Sequence, residues 1–172
     1  MVNINEERIK KIKEMKAWSD RKLKGAMAEC IVEEMLRDAG YQVYRFGYEM
    51  VLQHLKGIKL EDNYVKRIIT GMPDFIIVDR NNCPNFLEVK YRKDGELNIS
   101  KDKLRIANLG KDWAESRLMI VSYIEPHFRI SRVKEFIKSG KLFPLEYERF
   151  IKVNKKVIKR YGYLVRKYFE GK

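Results

Sequence analysis

Gly71-Met72-Pro73-Asp74-Phe75-Ile76-Ile77-Val78 is followed, after the cluster Arg80-Asn81-Asn82-Cys83-Pro84-Asn85, by Phe86-Leu87-Glu88-Val89-Lys90. The first stretch opens a very apolar run with a single acid. The second sets an acid and a lysine two residues apart inside another apolar run. Alternate residues of a strand point to the same face, so Glu88 and Lys90 emerge side by side while Leu87, Val89 and Tyr91 face the other way. The intervening Asn and Pro residues are turn formers, and the simplest reading is two antiparallel strands that bring Asp74 close to Glu88. Two carboxylates and a lysine at one edge of a sheet can hold a hard divalent cation and a water beside a phosphate.

This pattern resembles the PD-(D/E)XK nuclease superfamily, with Pro73-Asp74 as one half and Glu88-Val89-Lys90 as the other. Upstream, Lys24-Gly25-Ala26-Met27-Ala28-Glu29-Cys30-Ile31-Val32, running on through Leu36 to Gly40-Tyr41-Gln42-Val43-Tyr44-Arg45, is similar to the opening helix and first strand of archaeal Holliday junction resolvases in that superfamily. The similarity covers about residues 24–124. It departs from the family in having no glutamine after Gln53 and a longer stretch from Phe46 to Thr70. The resemblance implies an α/β fold with a restriction-endonuclease-like core, a mixed central sheet flanked by helices, and basic N- and C-terminal helices. It implies Asp74, Glu88, Lys90 and Glu29 as catalytic residues. Asp74 and Glu88, the Val89 backbone carbonyl and Glu29 would then ligate Mg²⁺ or Mn²⁺.

The helix itself is legible from the residues. Ala28, Ile31, Val32, Met35, Leu36 and Ala39 fall on one face at helical spacing, with Glu29 at its border and Glu34 pointing away. Gly40 stands where a helix ends. Residues 5–19 read as a separate short helix and 21–39 as the core helix. Tyr41–Phe46 and Tyr64–Thr70 read as strands, with a helical turn around Met50–Leu55. Residues 73–79 and 85–91 are the motif strands. A helix is expected over 100–115, with Ser100 as its N-cap and Leu104, Ala107 and Trp113 inward, then a buried strand over Leu118–Ile124. Ser131–Lys138 reads as a helix closed by Gly140. From Leu145 onward Tyr147, Phe150, Ile151, Val157, Ile158, Tyr161, Leu164, Val165 and Tyr168 form a helical apolar stripe, which Gly162 should weaken.

Length and charge set the frame. The chain has 172 residues and a formal charge of +13. That is enough for one domain, 1–172, with a core over about 21–125 and a basic helical extension over about 126–172. Residues 126–172 hold 14 Lys and Arg against 4 Asp and Glu, and residues 1–24 hold 8 against 4, whereas residues 25–125 are within one charge of neutral. Basic ends around a neutral centre suit a protein whose arms grip a polyanion. Lys24, Arg45, Arg92, Lys155, Lys156 and Lys159 are the candidate phosphate contacts.

No run reaches the ~18–20 apolar residues of a membrane span, and the N-terminus lacks a signal peptide's apolar stretch, so a cytoplasmic setting is expected. Cys30 and Cys83 lack metal-binding spacing, and His54 and His127 are isolated from any Ser or Cys partner. The expected function is metal-dependent hydrolysis of DNA phosphodiester bonds on branched or duplex substrates. Two alternatives stand beside it: a non-cleaving nucleic-acid-binding protein with a nuclease-like fold, and a restriction-type sequence-specific endonuclease. RNA as substrate and a homodimeric state stay open.

Overall fold

The computed structural model describes residues 4–46, 61, 63–97 and 103–170, with backbone alone at 4–18, 70 and 103–105. Helix α1 runs unbroken over Ile4–Asp38, where the sequence suggests two helices meeting near residue 20. Nothing between them stops a helix: the junction Trp18-Ser19-Asp20-Arg21 holds neither Gly nor Pro. The helix ends in a Schellman turn. Gly40 takes φ +90°, its N–H bonds to Arg37 O at 2.9 Å, and the Tyr41 N–H bonds to Leu36 O at 3.0 Å.

Strand β1 (Gln42–Arg45) pairs antiparallel with β2 (Phe75–Val78), and β2 pairs antiparallel with β3 (Pro84–Tyr91). Helix α2 (Tyr64–Thr70) lies between β1 and β2 in the chain. This corrects the strand expected there. Its β-branched residues favour a strand in isolation, but the Asn63 side chain caps the first turn, accepting from Lys66 N at 3.0 Å. Arg67 then fixes the helix in place by two bonds to Asp112, at 2.9 and 3.2 Å.

After β3, helix α3 (Lys103–Asp112) crosses over to β4 (Arg117–Val121), which lies parallel to β3. Strand β5 (Phe128–Arg132), helix α4 (Val133–Ser139), the short strand β6 (Phe143–Pro144), a 3-10 turn (Leu145–Tyr147) and helix α5 (Lys155–Phe169) complete the order. Strands β5 and β6 join the same sheet, so the sheet continues past residue 125, where the sequence suggests that the core ends. The expected helix at Ser131 begins two residues later, because Ser131 and Arg132 finish β5. The final helix begins at Lys155 rather than 145. Ser100 and the turn around Met50–Leu55 lie outside the described residues.

The sheet has a helical layer on each face. On one, Phe75, Ile77, Leu87, Val89, Met119, Val121, Phe128 and Ile130 bury against Ala28, Val32, Met35 and Leu36 of α1 and Tyr161, Val165 and Phe169 of α5. On the other, Leu118 and Ile120 bury against Ile106 and Leu109 of α3 and Val133 and Phe136 of α4. The inward residues of α3 are thus Ile106 and Leu109, and Trp113 just beyond the helix packs against the same cluster as expected, while Ala107 is exposed and the Leu104 side chain lies outside the described residues. In the tail Tyr147, Phe150 and Tyr168 face outward. Gly162 is a close-approach glycine: a Cβ there would lie 2.7 Å from His127 Cδ2. Among the described residues no helix is long and apolar enough to cross a membrane.

Candidate functional site

The register of the β2–β3 pair sets Phe75 opposite Leu87, which places Asp74 and Glu88 at the next rung. There the ladder stops and a side chain takes over. The Asp74 carboxylate accepts the Val89 N–H at 2.7 Å through Oδ2, a charge-assisted bond that fixes the carboxylate against the middle of β3. The Asp74 carbonyl accepts from Phe46 N at 2.9 Å, tying the residue to the end of β1 as well. Asp74 thus stands where three strands meet.

Strand alternation turns Glu88 and Lys90 away from the core shared with α1, as the sequence predicts. Glu88 is fully buried. The Lys90 ammonium closes on Glu88 Oε1 and lies 3.5 Å from the Val89 carbonyl oxygen. The pair therefore joins a buried carboxylate to a partly buried lysine, and is not the surface ion pair that residue types alone would suggest. Burying a carboxylate in this way costs several kcal/mol before its partner offsets the loss.

Glu29 projects from α1 near this point. Its Oε2 lies 3.5 Å from Arg45 NH1. Burial pushes the Asp74 carboxyl up to about 7, helped by the negative charges of Glu88 and Glu29 and opposed by Lys90 and the Val89 N–H. The structure thus brings Asp74, Glu88 and Lys90 into one place, with Glu29 inside the same electrostatic field. Among the described residues no three His, Cys, Asp or Glu side chains form a metal-ligand group, so Glu29 is a neighbour of the acidic pair here and not the third member of a formed ligand set.

The basic candidates scatter. Arg45 bonds Glu33 through its NH2 at 2.7 Å and meets Glu29, so its guanidinium already serves as a countercharge to two acids, while the residue stays exposed at the end of β1. Lys24 stands 5.8 Å over the Tyr91 ring. Arg92 donates to the Tyr91 carbonyl at 2.9 Å. Lys155, Lys156 and Lys159 are exposed on α5, and Lys155 pairs with Glu146 at 3.3 Å.

Sequence reasoning missed Glu33. It is buried and shared between Arg37 at 2.7 Å and Arg45. Its spacing from Arg37, one helical turn later, is the signal that could have found it.

The donor set suits a hard cation. Carboxylate and carbonyl oxygens favour Mg²⁺ or Mn²⁺, and Mg²⁺ commonly uses only one or two carboxylates while keeping several waters. Burial raises Asp74 first and the charge of Glu88 adds to it, and a bound cation would offset both. The fold is an α/β architecture of a mixed sheet between helical layers. No family model matches the chain, and no curated protein matches its sequence.

Proposed function

We propose that this chain is a Mg²⁺- or Mn²⁺-dependent endodeoxyribonuclease of the PD-(D/E)XK kind, acting on branched DNA in the manner of Holliday junction resolvases. The observation that carries the reading is the convergence of Asp74, bonded to the Val89 N–H, with the buried Glu88–Lys90 pair. Asp74, Glu88 and the Val89 carbonyl would hold the cation. A bound divalent cation supplies charge neutralisation at the phosphate and a more acidic water.

The protein's own groups do the remainder. Lys90 puts a positive charge beside the two acids, where negative charge grows on a phosphate oxygen as the bond breaks. Val89 fixes the Asp74 carboxylate so that it is oriented before substrate arrives. The raised Asp74 carboxyl gives the site a group able to hold a proton near neutral pH, with the Glu29 charge adding to the negative field around it.

The test uses purified protein with Mg²⁺ or Mn²⁺ on four-way junction, flap, duplex and single-stranded DNA, beside RNA duplex. Cleavage of the junction, abolished in Asp74→Asn with DNA affinity within a few-fold of the parent, is the expected result. Binding without cleavage of any substrate under either cation would leave the non-cleaving alternative, in which Lys90 serves only to neutralise Glu88. Parental cutting by Asp74→Asn would remove the site from the reaction.

A further inference from the structure

On the sheet face opposite Glu88 and Lys90 lies a second polar site. Arg117 and Arg132 are direct cross-strand partners on β4 and β5. Strand alternation puts both on the side of Met119 and Ile130. Arg117 is only 4% exposed. The Nε atoms of both arginines are buried and make no hydrogen bond. An ionised donor in that state is costly, and native structures rarely leave one. Both guanidiniums lie over the Phe150 ring, at 4.8 and 5.6 Å from its centroid, which holds their planes on one scaffold.

These side chains border a cavity of about 230 Å³, with Arg149 at its exposed rim and Glu135 and Glu148 also in its lining, three arginines against two acids. Three acids stand at ion-pair distance from the arginines, none of them within hydrogen-bond reach, and Arg117 NH1 donates to the Glu115 carbonyl at 3.4 Å. Glu148 Oε1 stays 3.9 Å from Arg117 Nε, because it accepts the Arg149 and Phe150 N–H groups at 3.0 and 2.9 Å. Glu115 and Glu135 stay 3.6 and 3.8 Å from Arg132, and Glu115 is drawn instead to Lys134 at 2.6 Å. Burial, together with the like charge of Arg132, holds Arg117 below the ordinary arginine range despite Glu148.

We propose that the cavity bounded by Arg117, Arg132 and Arg149 binds a phosphate group. The guanidinium fork matches a tetrahedral oxyanion in shape and charge. The volume lies below the ~300–1,000 Å³ of sites for drug-sized ligands and suits one oxyanion with a few waters. The source is either free phosphate or the terminal phosphate of a polynucleotide. This inference does not depend on the nuclease reading, since it uses neither Asp74 nor Glu88.

Inorganic phosphate is titrated calorimetrically into the parent, Arg132→Lys and Arg149→Ala, with melting temperature followed in parallel. Phosphate at about ten times its Kd should raise the parent's melting temperature by about 3–5 °C, with sodium chloride at equal ionic strength giving no such rise. Arg132→Lys keeps the charge and loses the fork, and should bind phosphate about tenfold more weakly; Arg149→Ala, on an exposed residue, should weaken it without affecting the fold. Displacement of phosphate by a 5′-phosphorylated oligonucleotide, and not by the same strand lacking that phosphate, identifies a polynucleotide end as the source. Phosphate retained against both identifies the free ion. No heat with phosphate, a melting shift matched by chloride, or unchanged affinity in both variants would overturn the proposal.

Discussion

Asp74 carries the sharpest consequences at the scale of single residues. Its carboxyl sits near 7 when folded against about 3.9 when unfolded. Between those values the folded chain holds a proton that the unfolded chain has released. Stability therefore declines as pH rises from about 4 to 7, and the deficit is complete above 7. Asp74→Asn imitates the protonated form, with its amide oxygen still able to accept from Val89. In metal-free protein it should be more stable than the parent by about 1–3 kcal/mol at pH 8 and equal to it near pH 4. Denaturant titrations of both proteins at the two pH values measure this; a parent-to-variant difference that does not change with pH would disprove the assignment. Added Mg²⁺ should erase the gain at pH 8. At Lys90, replacement by Met strands the Glu88 charge inside the fold and should cost about 3–5 kcal/mol, with Glu88→Gln in the same chain restoring most of it. The meeting of Asp74 and Glu88 is legible in the sequence because a short hairpin and strand alternation are local rules. The turn of Arg45 toward Glu33 is not, since it depends on how α1 and β1 are packed.

At the scale of elements, the misread segment is α2. Its residues Tyr64-Val65-Lys66-Arg67-Ile68-Ile69-Thr70 fit a strand by composition, and what decides otherwise is the Asn63 cap and a partner 45 residues away, Asp112. Sequence patterns cannot register such a partner. The Arg67 bond holds the Asp112 carboxyl below the usual carboxylate range. A lowered carboxyl adds stability above its unfolded value and loses it as pH falls through the folded one. Asp112→Asn should therefore flatten the acid limb of the stability curve below about pH 4, and circular dichroism melts between pH 2 and 5 would show it. An acid limb identical to the parent's would mean that the Arg67 bond adds nothing to stability. Helix α5 gives the opposite lesson about Gly162. Intrinsic propensity favours alanine there by about 1 kcal/mol, but its Cβ would press on the His127 ring, whose Nδ1 lies 3.0 Å from the Ser122 carbonyl. Gly162→Ala should lower stability by about 1–3 kcal/mol, and His127→Ala should relieve that loss in a double-mutant cycle. An additive cycle would mean that the ring moves aside without cost.

At the scale of the whole molecule, charge is distributed more finely than its totals suggest. The basic C-terminal third is not an appendage: it supplies β5 and β6 to the sheet and Tyr161, Val165 and Phe169 to the core. Its lysines on α5 remain outward. If they meet DNA, Lys155→Ala, Lys156→Ala and Lys159→Ala together should weaken binding of all sequences alike. The slope of log K against log salt should also fall by about 0.9 for every duplex phosphate no longer neutralised. An unchanged slope would assign those charges to solubility. The sheet has a further consequence. Its strands lie in space in the order β1 to β6, the order in which the chain carries them. Each new strand finds its partner in the one made just before, with no earlier slot to thread. Such a sheet can grow at one edge as the polypeptide leaves the ribosome, with few long loops to close. Stalled nascent chains ending beyond β3 should already protect the β2–β3 amides from exchange, so the acidic hairpin would exist before β4 arrives to help bury Glu88.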